Sequence, residues 1–416
     1  MKNPIKVLAL TILSLSAVAG ISSCGETSET VFSAGLITLH GDTSTYDANF
    51  IDAFKAACKA KNVKPIITTD VGESADCTVA ADNLVDQGCK YIFADSFGHE
   101  SFLMESARKA PEVKFSHATG TQAHTANLDN FSNAFASIYE GRYLAGVTAG
   151  LKLKDMLEKD PNTSKVIGYV GAHPYAEVVS GYTSYYLGVR SIVSDVTMKV
   201  LYTGSWYDET KEKTAANTLI NNYKASVISQ HADSWGAPTA CETANVPNIS
   251  YNGSTESRCP NTFVISSKIN WEPYFRYCFQ QIKEGKSIDT DWTGELGSTL
   301  YDGSVALSEA GKKGAASGTE AKLNEVAGRL RDGSLKVFDT SSFTVSGENV
   351  KDSMKVDAQG HLTSYKADVN FDEAYTPDTE VIETKNGKTY LAESEKRSAP
   401  YFDVQIDGIT LLNSEL

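Results

Sequence analysis

The chain has 416 residues, a length suited to two cores rather than one. At 41% hydrophobic and 22% charged residues it is an ordinary globular composition, which excludes low-complexity, collagenous and disordered classes. Against 38 Lys and Arg stand 52 Asp and Glu, a formal net charge of −14 with no basic block to offset it, so nucleic acid is not expected as a partner.

At the N-terminus, Lys2 and Lys6 and the apolar run 7–19 form the two regions of an export signal. The run, about 13 residues, is too short for a membrane span. It leads into Ile21-Ser22-Ser23-Cys24, a small-small-Cys lipobox. Cys24 is therefore expected to be the lipidated first residue of the mature chain, after a signal peptide over 1–23 and at the start of a tether over 24–30. The alternative is a plain secretory signal with an incidental cysteine. The expected location is extracytoplasmic, with the lipid as the only attachment to a bacterial cell membrane. Cys58, Cys77, Cys89, Cys241, Cys259 and Cys278 remain; six cysteines allow fifteen pairings and the sequence does not choose among them. Cys77 and Cys89 fall at opposite ends of one expected helix and should not pair with each other.

From residue 31 onward short apolar runs alternate with helical patterns. Residues 35–39 read as a strand, and Phe50, Ile51, Phe54, Ala57 and Cys58 follow at helical spacing. Next come a strand over 64–69, a helix over 76–87, a strand over 91–95, a helix over 100–109 and a strand over 113–117. The pattern resumes with strands over 165–170, 198–203 and 226–230 and helices over 178–191 and 208–223. Strands over 247–251 and 262–266 and a helix over 271–283 complete it. Such alternation predicts parallel sheets built from βαβ units. Polar breaks at 119–130 and 243–248 divide the pattern, giving an α/β clamshell of the type I periplasmic-binding-protein class, two doubly wound lobes with a hinge between them. The expected lobes are 31–138 with 249–290, and 139–248 with 291–416, the latter carrying a C-terminal extension. Within it, 306–320 reads as a loop, 319–331 as a helix, and 337–367 and 390–409 as short strands with glycine turns.

Ligands of such folds sit between the lobes, at the carboxyl ends of the strands. The candidates are the residues found there. Tyr46 and Asp47 follow the first strand, an aromatic face beside a carboxylate that can accept N–H or O–H donors. The competing reading is local packing for Tyr46 and helix N-terminal stabilisation for Asp47. Phe97 follows the third strand as a second platform or a core residue, and Thr119 follows the fourth as a hydrogen-bonding group or a turn residue. In the second lobe, His173 follows a strand, Tyr185 lies in the helix behind it and Trp206 precedes the next helix, while His231-Ala232-Asp233-Ser234-Trp235, straight after a strand, is the densest cluster. No HExxH, GxSxG, GxGxxG or Walker sequence accompanies it, so neither catalysis nor a metal or other cofactor is expected. Asp368-Val369-Asn370-Phe371-Asp372 starts like a calcium loop but has Glu373 at position six and Thr379 at position twelve, and is rejected.

Several segments resemble, in order, the basic membrane protein family, the lipoprotein receptors typified by the purine nucleoside receptors of bacterial ABC importers. They are 46–54, Phe93-Ala94-Asp95-Ser96-Phe97-Gly98, 114–120, Tyr139-Glu140-Gly141-Arg142, 187–191, Ser205-Trp206-Tyr207-Asp208, 230–234 and Asn270-Trp271-Glu272-Pro273-Tyr274. The resemblance runs from residue 31 to about 285 and is less secure after 300. It implies a purine held between aromatic rings of the two lobes, with Tyr46 on one face and Tyr185 on the other. Nucleoside receptors carry Asp near Thr119, Asp near Asn252 and Lys near Ile269; here the residues are Thr, Asn and Ile, with Lys268 one position away. That departure is similar to a branch with the 117–120 and 230–234 signatures that suits a free base, its edge read by Asp47, Thr119, His231 and Asp233, with Asn252 also at the site. The implied partners are ABC permease subunits and a purine base or nucleoside. A sugar or other small polar metabolite on the same fold, or an adhesive or sensory surface lipoprotein, stay open as alternatives.

Overall fold

The computed structural model of the protein describes residues 32–370 and 375–413. The expected signal peptide 1–23, the lipidated Cys24 and the tether 24–30 lie outside the described residues. The chain opens with β1 (Ser33–Ile37), α1 (Thr45–Lys61), β2 (Lys64–Thr68), α2 (Ala75–Asp86), β3 (Cys89–Ala94), α3 (Glu100–Lys109), β4 (Lys114–Ala118) and β5 (Phe131–Ala136). It continues through α4 (Ile138–Lys159), β6 (Val166–Gly171), α5 (Ala176–Arg190), β7 (Thr197–Tyr202), α6 (Glu209–Tyr223), β8 (Ile228–His231), α7 (Gly236–Ala244), β9 (Asn248–Tyr251) and β10 (Phe263–Ile269). Then come α8 (Glu272–Lys283), β11 (Asp291–Gly294), β12 (Val305–Leu307) and α9 (Thr319–Arg331). The extension adds β13 (Met354–Val356), β14 (Leu362–Ala367), β15 (Thr379–Glu380), β16 (Ile382–Lys385), β17 (Lys388–Leu391) and β18 (Ile409–Leu411).

Two sheets with helices on their faces make the two-lobed type I fold. The first has the order β11-β5-β4-β3-β1-β2, and its pairs are all parallel. The second has the order β12-β10-β9-β8-β6-β7-β18, with only the β10–β12 pair antiparallel. Strands such as β3 and β6 are buried almost throughout, and so read as unbroken apolar runs rather than alternating ones. α1 starts where the Ser44 hydroxyl accepts the Asp47 N–H and stops where Asn62 turns left-handed. Its Phe50 and Phe54, four residues apart on one face, meet Trp271 and Phe275 of the α8 region.

The chain passes between the lobes three times, after β5, before α8 and after β11, and the crossings are bonded side by side. Ser137 N–H donates to the Gly294 carbonyl at 2.8 Å and Asn270 N–H to the Ser304 carbonyl at 2.7 Å. The division differs from the sequence expectation for 249–290. β9 and β10 lie in the second sheet, and only at α8 does the chain return to the first. The expected break at 243–248 is the end of α7, a short helix with no lobe crossing. β5, α4 and α7 were not legible in the sequence pattern. α4 carries Gly141, Gly146 and Gly150, poor helix formers whose reason is contact. A Cβ on Gly146 would stand 2.0 Å from the Tyr185 carbonyl oxygen, so α4 and α5 cross backbone to backbone.

The extension belongs to both lobes by contact. β18 joins the second sheet in parallel beside β7, and Tyr182 Oη donates to Gln405 Oε1 at 3.0 Å. Toward the first sheet, Ser398 N–H donates to Asp291 Oδ2 of β11 at 2.9 Å. Phe338 and Phe402 stack at 4.1 Å in a core continuous with that of the second lobe. All six cysteines among the described residues are buried free thiols.

Candidate functional site

The carboxyl ends of β1, β3 and β4 in one lobe face those of β7, β8 and β9 and the first turn of α5 in the other. Between them lies about 380 Å³ of empty space, mouth included. Of the residues singled out in the sequence, Tyr46, Asp47, Phe97, Thr119, Trp206, His231 and Asp233 line it. Two do not. Tyr185 is wholly buried in the second core, its ring 5.9 Å from that of Tyr169, because α5 turns that face toward α4 rather than toward the cleft. It is not an opposing platform. Asn252 sits just behind the lining, buried and left-handed at φ 61°, with its Nδ2 unpartnered.

Sequence reasoning missed His40, Glu177 and Tyr251, which also line the space. Glu177 lies in the first turn of α5 and Tyr251 ends a strand. Position after a strand could have signalled both. Instead they resembled an ordinary helix-start acid and an ordinary core aromatic.

The first-lobe wall is fixed largely by backbone. Asp47, 1% exposed, accepts the His40 N–H at 2.8 Å, and its other oxygen is 3.7 Å from His40 Nδ1. The Asp47 carboxylate raises the His40 pKa against the opposing effect of burial. Tyr46 Oη donates to the Asp95 carbonyl at 2.8 Å while its ring meets Phe50 edge-on. Asp95 behind it is wholly buried, accepts the Leu39 N–H and leaves Oδ2 unpartnered. Burial first, then Asp47, pushes the Asp95 carboxyl well above the usual range. Phe97 is held by Glu73, whose Oε1 accepts Ser96 Oγ at 2.6 Å and Gly98 N–H at 2.8 Å. Thr119 is left-handed at φ 58°, and the following turn is gripped by Glu100. Gly120 is required there, since a Cβ would stand 1.9 Å from Asn133 Nδ2.

The second-lobe wall is a chain of side chains. His231 Nε2 is 3.3 Å from Glu177 Oε1, and its Nδ1 is 3.3 Å from Tyr169 Oη. Burial lowers the His231 pKa, opposed by Glu177. Tyr251 packs against the His231 ring at 4.5 Å and leaves its buried hydroxyl unpartnered. Burial, then Asp47, Glu212 and Glu177, pushes the Asp233 carboxyl well above the usual range.

The lobes touch across the cleft. Thr45 N–H and Oγ1 both donate to the Asp233 carbonyl at 3.2 Å. Phe97 stacks on Tyr175 at 5.3 Å and His40 meets Tyr207 at 5.3 Å. The lining offers aromatic faces from both lobes and three carboxyl groups, and no Lys or Arg. It can therefore receive a flat, neutral or cationic group rich in N–H or O–H donors, whereas a phosphate would meet three carboxyl groups and no Lys or Arg. Among the described residues no group of three or more His, Cys, Asp or Glu side chains could hold a metal ion.

A family model described as "ABC transporter substrate-binding protein PnrA-like" matches residues 38–310. A purine-binding protein of Brucella abortus (strain 2308) is 30% identical over 70% of this chain and 79% of its own length. A Haloferax volcanii protein, named provisionally as an ABC transporter glucose-binding protein, is 32% identical over 51% of each chain. In fold, a solute-binding protein of an ABC transporter system from Aeropyrum pernix K1 superimposes with a TM-score of 0.62. That similarity covers 76% of this chain and 94% of the other at 17% identity.

Proposed function

The chain belongs to the PnrA-like family of ABC transporter substrate-binding proteins, and from that premise we propose that it receives a purine base or nucleoside in the interlobe cleft. The observation that carries this reading is the lining itself. Tyr46 and Phe97 on one lobe and Trp206 on the other bring flat apolar faces to one space that also holds Asp47, Glu177 and Asp233. A purine presents a planar ring for stacking and amino and ring N–H donors for carboxylate oxygens. Stacking contributes about 0.5–1.5 kcal/mol per ring pair beyond area burial. Desolvated hydrogen bonds to the base edge supply most of the selectivity.

In the same reading the lobes close on the ligand and shift toward the closed state because it binds that state better. The Thr45–Asp233 and Phe97–Tyr175 contacts are the closing contacts. The receptor is tethered outside the cell membrane through lipid on Cys24 and hands its ligand to ABC permease subunits; no step of covalent chemistry is involved. The lobes of this reading are 32–137 with 270–294, and 138–269 with 295–413. A sugar is the second reading, favoured by the same aromatic and carboxylate lining.

A thermal-shift panel tests the assignment, because a ligand that binds only the folded state raises its melting temperature. The panel holds adenine, guanine, hypoxanthine, their nucleosides, and pentoses and hexoses, with the protein stripped of co-purified ligand. A rise with purines alone supports the assignment. A rise with sugars alone refutes it.

A further inference from the structure

Tyr139-Glu140-Gly141-Arg142 is a sequence motif that the cleft lining leaves unused. Arg142 in α4 is 0% exposed, and its hydrogen bonds run to neutral oxygens: Tyr169 Oη at 2.6 Å, Gln230 carbonyl at 3.0 Å, Ser229 Oγ at 3.1 Å and Ser267 Oγ at 3.4 Å. No carboxylate is among these partners. The guanidinium instead lies over the rings of Tyr251 at 4.8 Å, Tyr169 at 5.4 Å and Tyr185 at 5.9 Å. A buried cation without a direct counterion is costly, and here it stands immediately behind two residues of the cleft wall.

The hydrogen bonds have only one consistent direction. Arg142 can only donate, so the Tyr169 oxygen accepts at 2.6 Å. The acceptor within reach of the Tyr169 O–H is His231 Nδ1 at 3.3 Å. A bare Nδ1 on a neutral ring places the proton on Nε2, which faces Glu177 Oε1 at 3.3 Å. The other tautomer would set a bare Nε2 against a carboxylate oxygen and leave the Tyr169 hydroxyl without an acceptor. Gly181 lets the ring come this close, since a Cβ there would stand 2.6 Å from His231 Nδ1.

We propose that Arg142 is a positioning residue: through Tyr169 it fixes His231 as the Nε2–H tautomer, and His231 in turn tethers Glu177 with its second oxygen free to accept an N–H from the ligand. The relay deepens the purine reading of the cleft and rests on it for the ligand, but not for the tautomer. It explains why an arginine is spent in a core where it makes no ion pair. It also makes Glu177 a specificity-determining acceptor.

The test is the ¹⁵N spectrum of the full soluble chain labelled at histidine, at neutral pH without ligand, with His231 assigned by His231→Gln. The expected result is a pyrrole-type Nε2 and a hydrogen-bonded imine-type Nδ1. Tyr169→Phe should move Nδ1 to the position of an unbonded imine nitrogen and weaken adenine binding about tenfold. Tyr186→Phe, a similar hydroxyl deletion in the same lobe but on α5 and off the relay, should change neither. A parent ring protonated on Nδ1, or on both nitrogens, overturns the proposal, as does a Tyr169→Phe spectrum identical to the parent. If Tyr169→Phe does not fold, the parent tautomer decides together with Arg142→Lys, which should move the same Nδ1 signal. If adenine does not bind, the purine reading falls while the ring resonances still decide the relay.

Discussion

Each wall of the cleft is backed by one buried glutamate, and the two are treated oppositely. Glu100 sits behind the Thr119 turn and receives four donors: the N–H groups of Thr121 and Gln122, and the side-chain amides of Gln122 and Asn133. Glu212 sits behind the Asp233 loop, 0% exposed, with only the N–H groups of Asp208 and Ser234 on one oxygen. Its Oε2 has no partner, and burial pushes its carboxyl up to about 7. The same residue type in the same place thus becomes a fully used clamp in one lobe and a group near its titration point in the other. Four donors hold Glu100, whereas one oxygen of Glu212 is left without a partner.

Substitution should separate them. Glu100→Gln places an amide donor among donors and should destabilise the protein by about 3 kcal/mol at neutral pH, read by denaturant unfolding. Glu212→Gln should behave differently. A folded pKa raised from 4.5 to about 7 means that the group's contribution is fully present below 4.5 and is lost as pH rises through about 7. Relative to the parent, Glu212→Gln should therefore gain about 3 kcal/mol between pH 4.5 and 8 and level off beyond. A Glu212→Gln gap that is flat with pH would contradict a raised Glu212 carboxyl.

The walls themselves come next. Tyr46→Ala removes a stacking face from the first wall and should weaken purine binding about tenfold, near 1.4 kcal/mol. Tyr46→Phe, which loses only the bond to the Asp95 carbonyl, should cost less than half of that. The smallest effect should be Glu73→Gln. It loosens the Ser96 and Gly98 bonds that hold Phe97, and a two- to threefold loss of affinity, about 0.5 kcal/mol, is expected by calorimetry.

The first wall was the more legible in sequence, for a physical reason. Phe97 and Thr119 follow their strands closely and Tyr46 opens the helix after β1, so a correct strand assignment places them in the cleft. Trp206, His231 and Asp233 were found in the same way on the second wall. The rule failed where a residue sat on a helix behind a strand. Tyr185 was placed by family resemblance, and the rotation of α5 against α4 at Gly146 and Gly188 decides its direction. No local pattern carries that crossing. Glu177 and Tyr251 were missed although their position after a strand was readable, because one resembled an ordinary helix-start acid and the other a core aromatic. At the level of the fold, the parallel alternation was readable, whereas β5 was not, since its Ser132 and Asn133 are buried polar residues satisfied only in the assembled sheet. The lobe membership of β9 and β10 depends on strand pairing between distant segments, which periodicity does not encode.

The most direct test of the central claim is a calorimetric titration of the ligand-stripped protein with adenine and, in parallel, adenosine 5′-monophosphate. A lining of aromatic faces and carboxyl groups without Lys or Arg should bind the base at micromolar concentration or tighter and give no response to the monophosphate. Equal binding of the monophosphate, or heat from sugars alone with none from any purine, would contradict the assignment of the cleft.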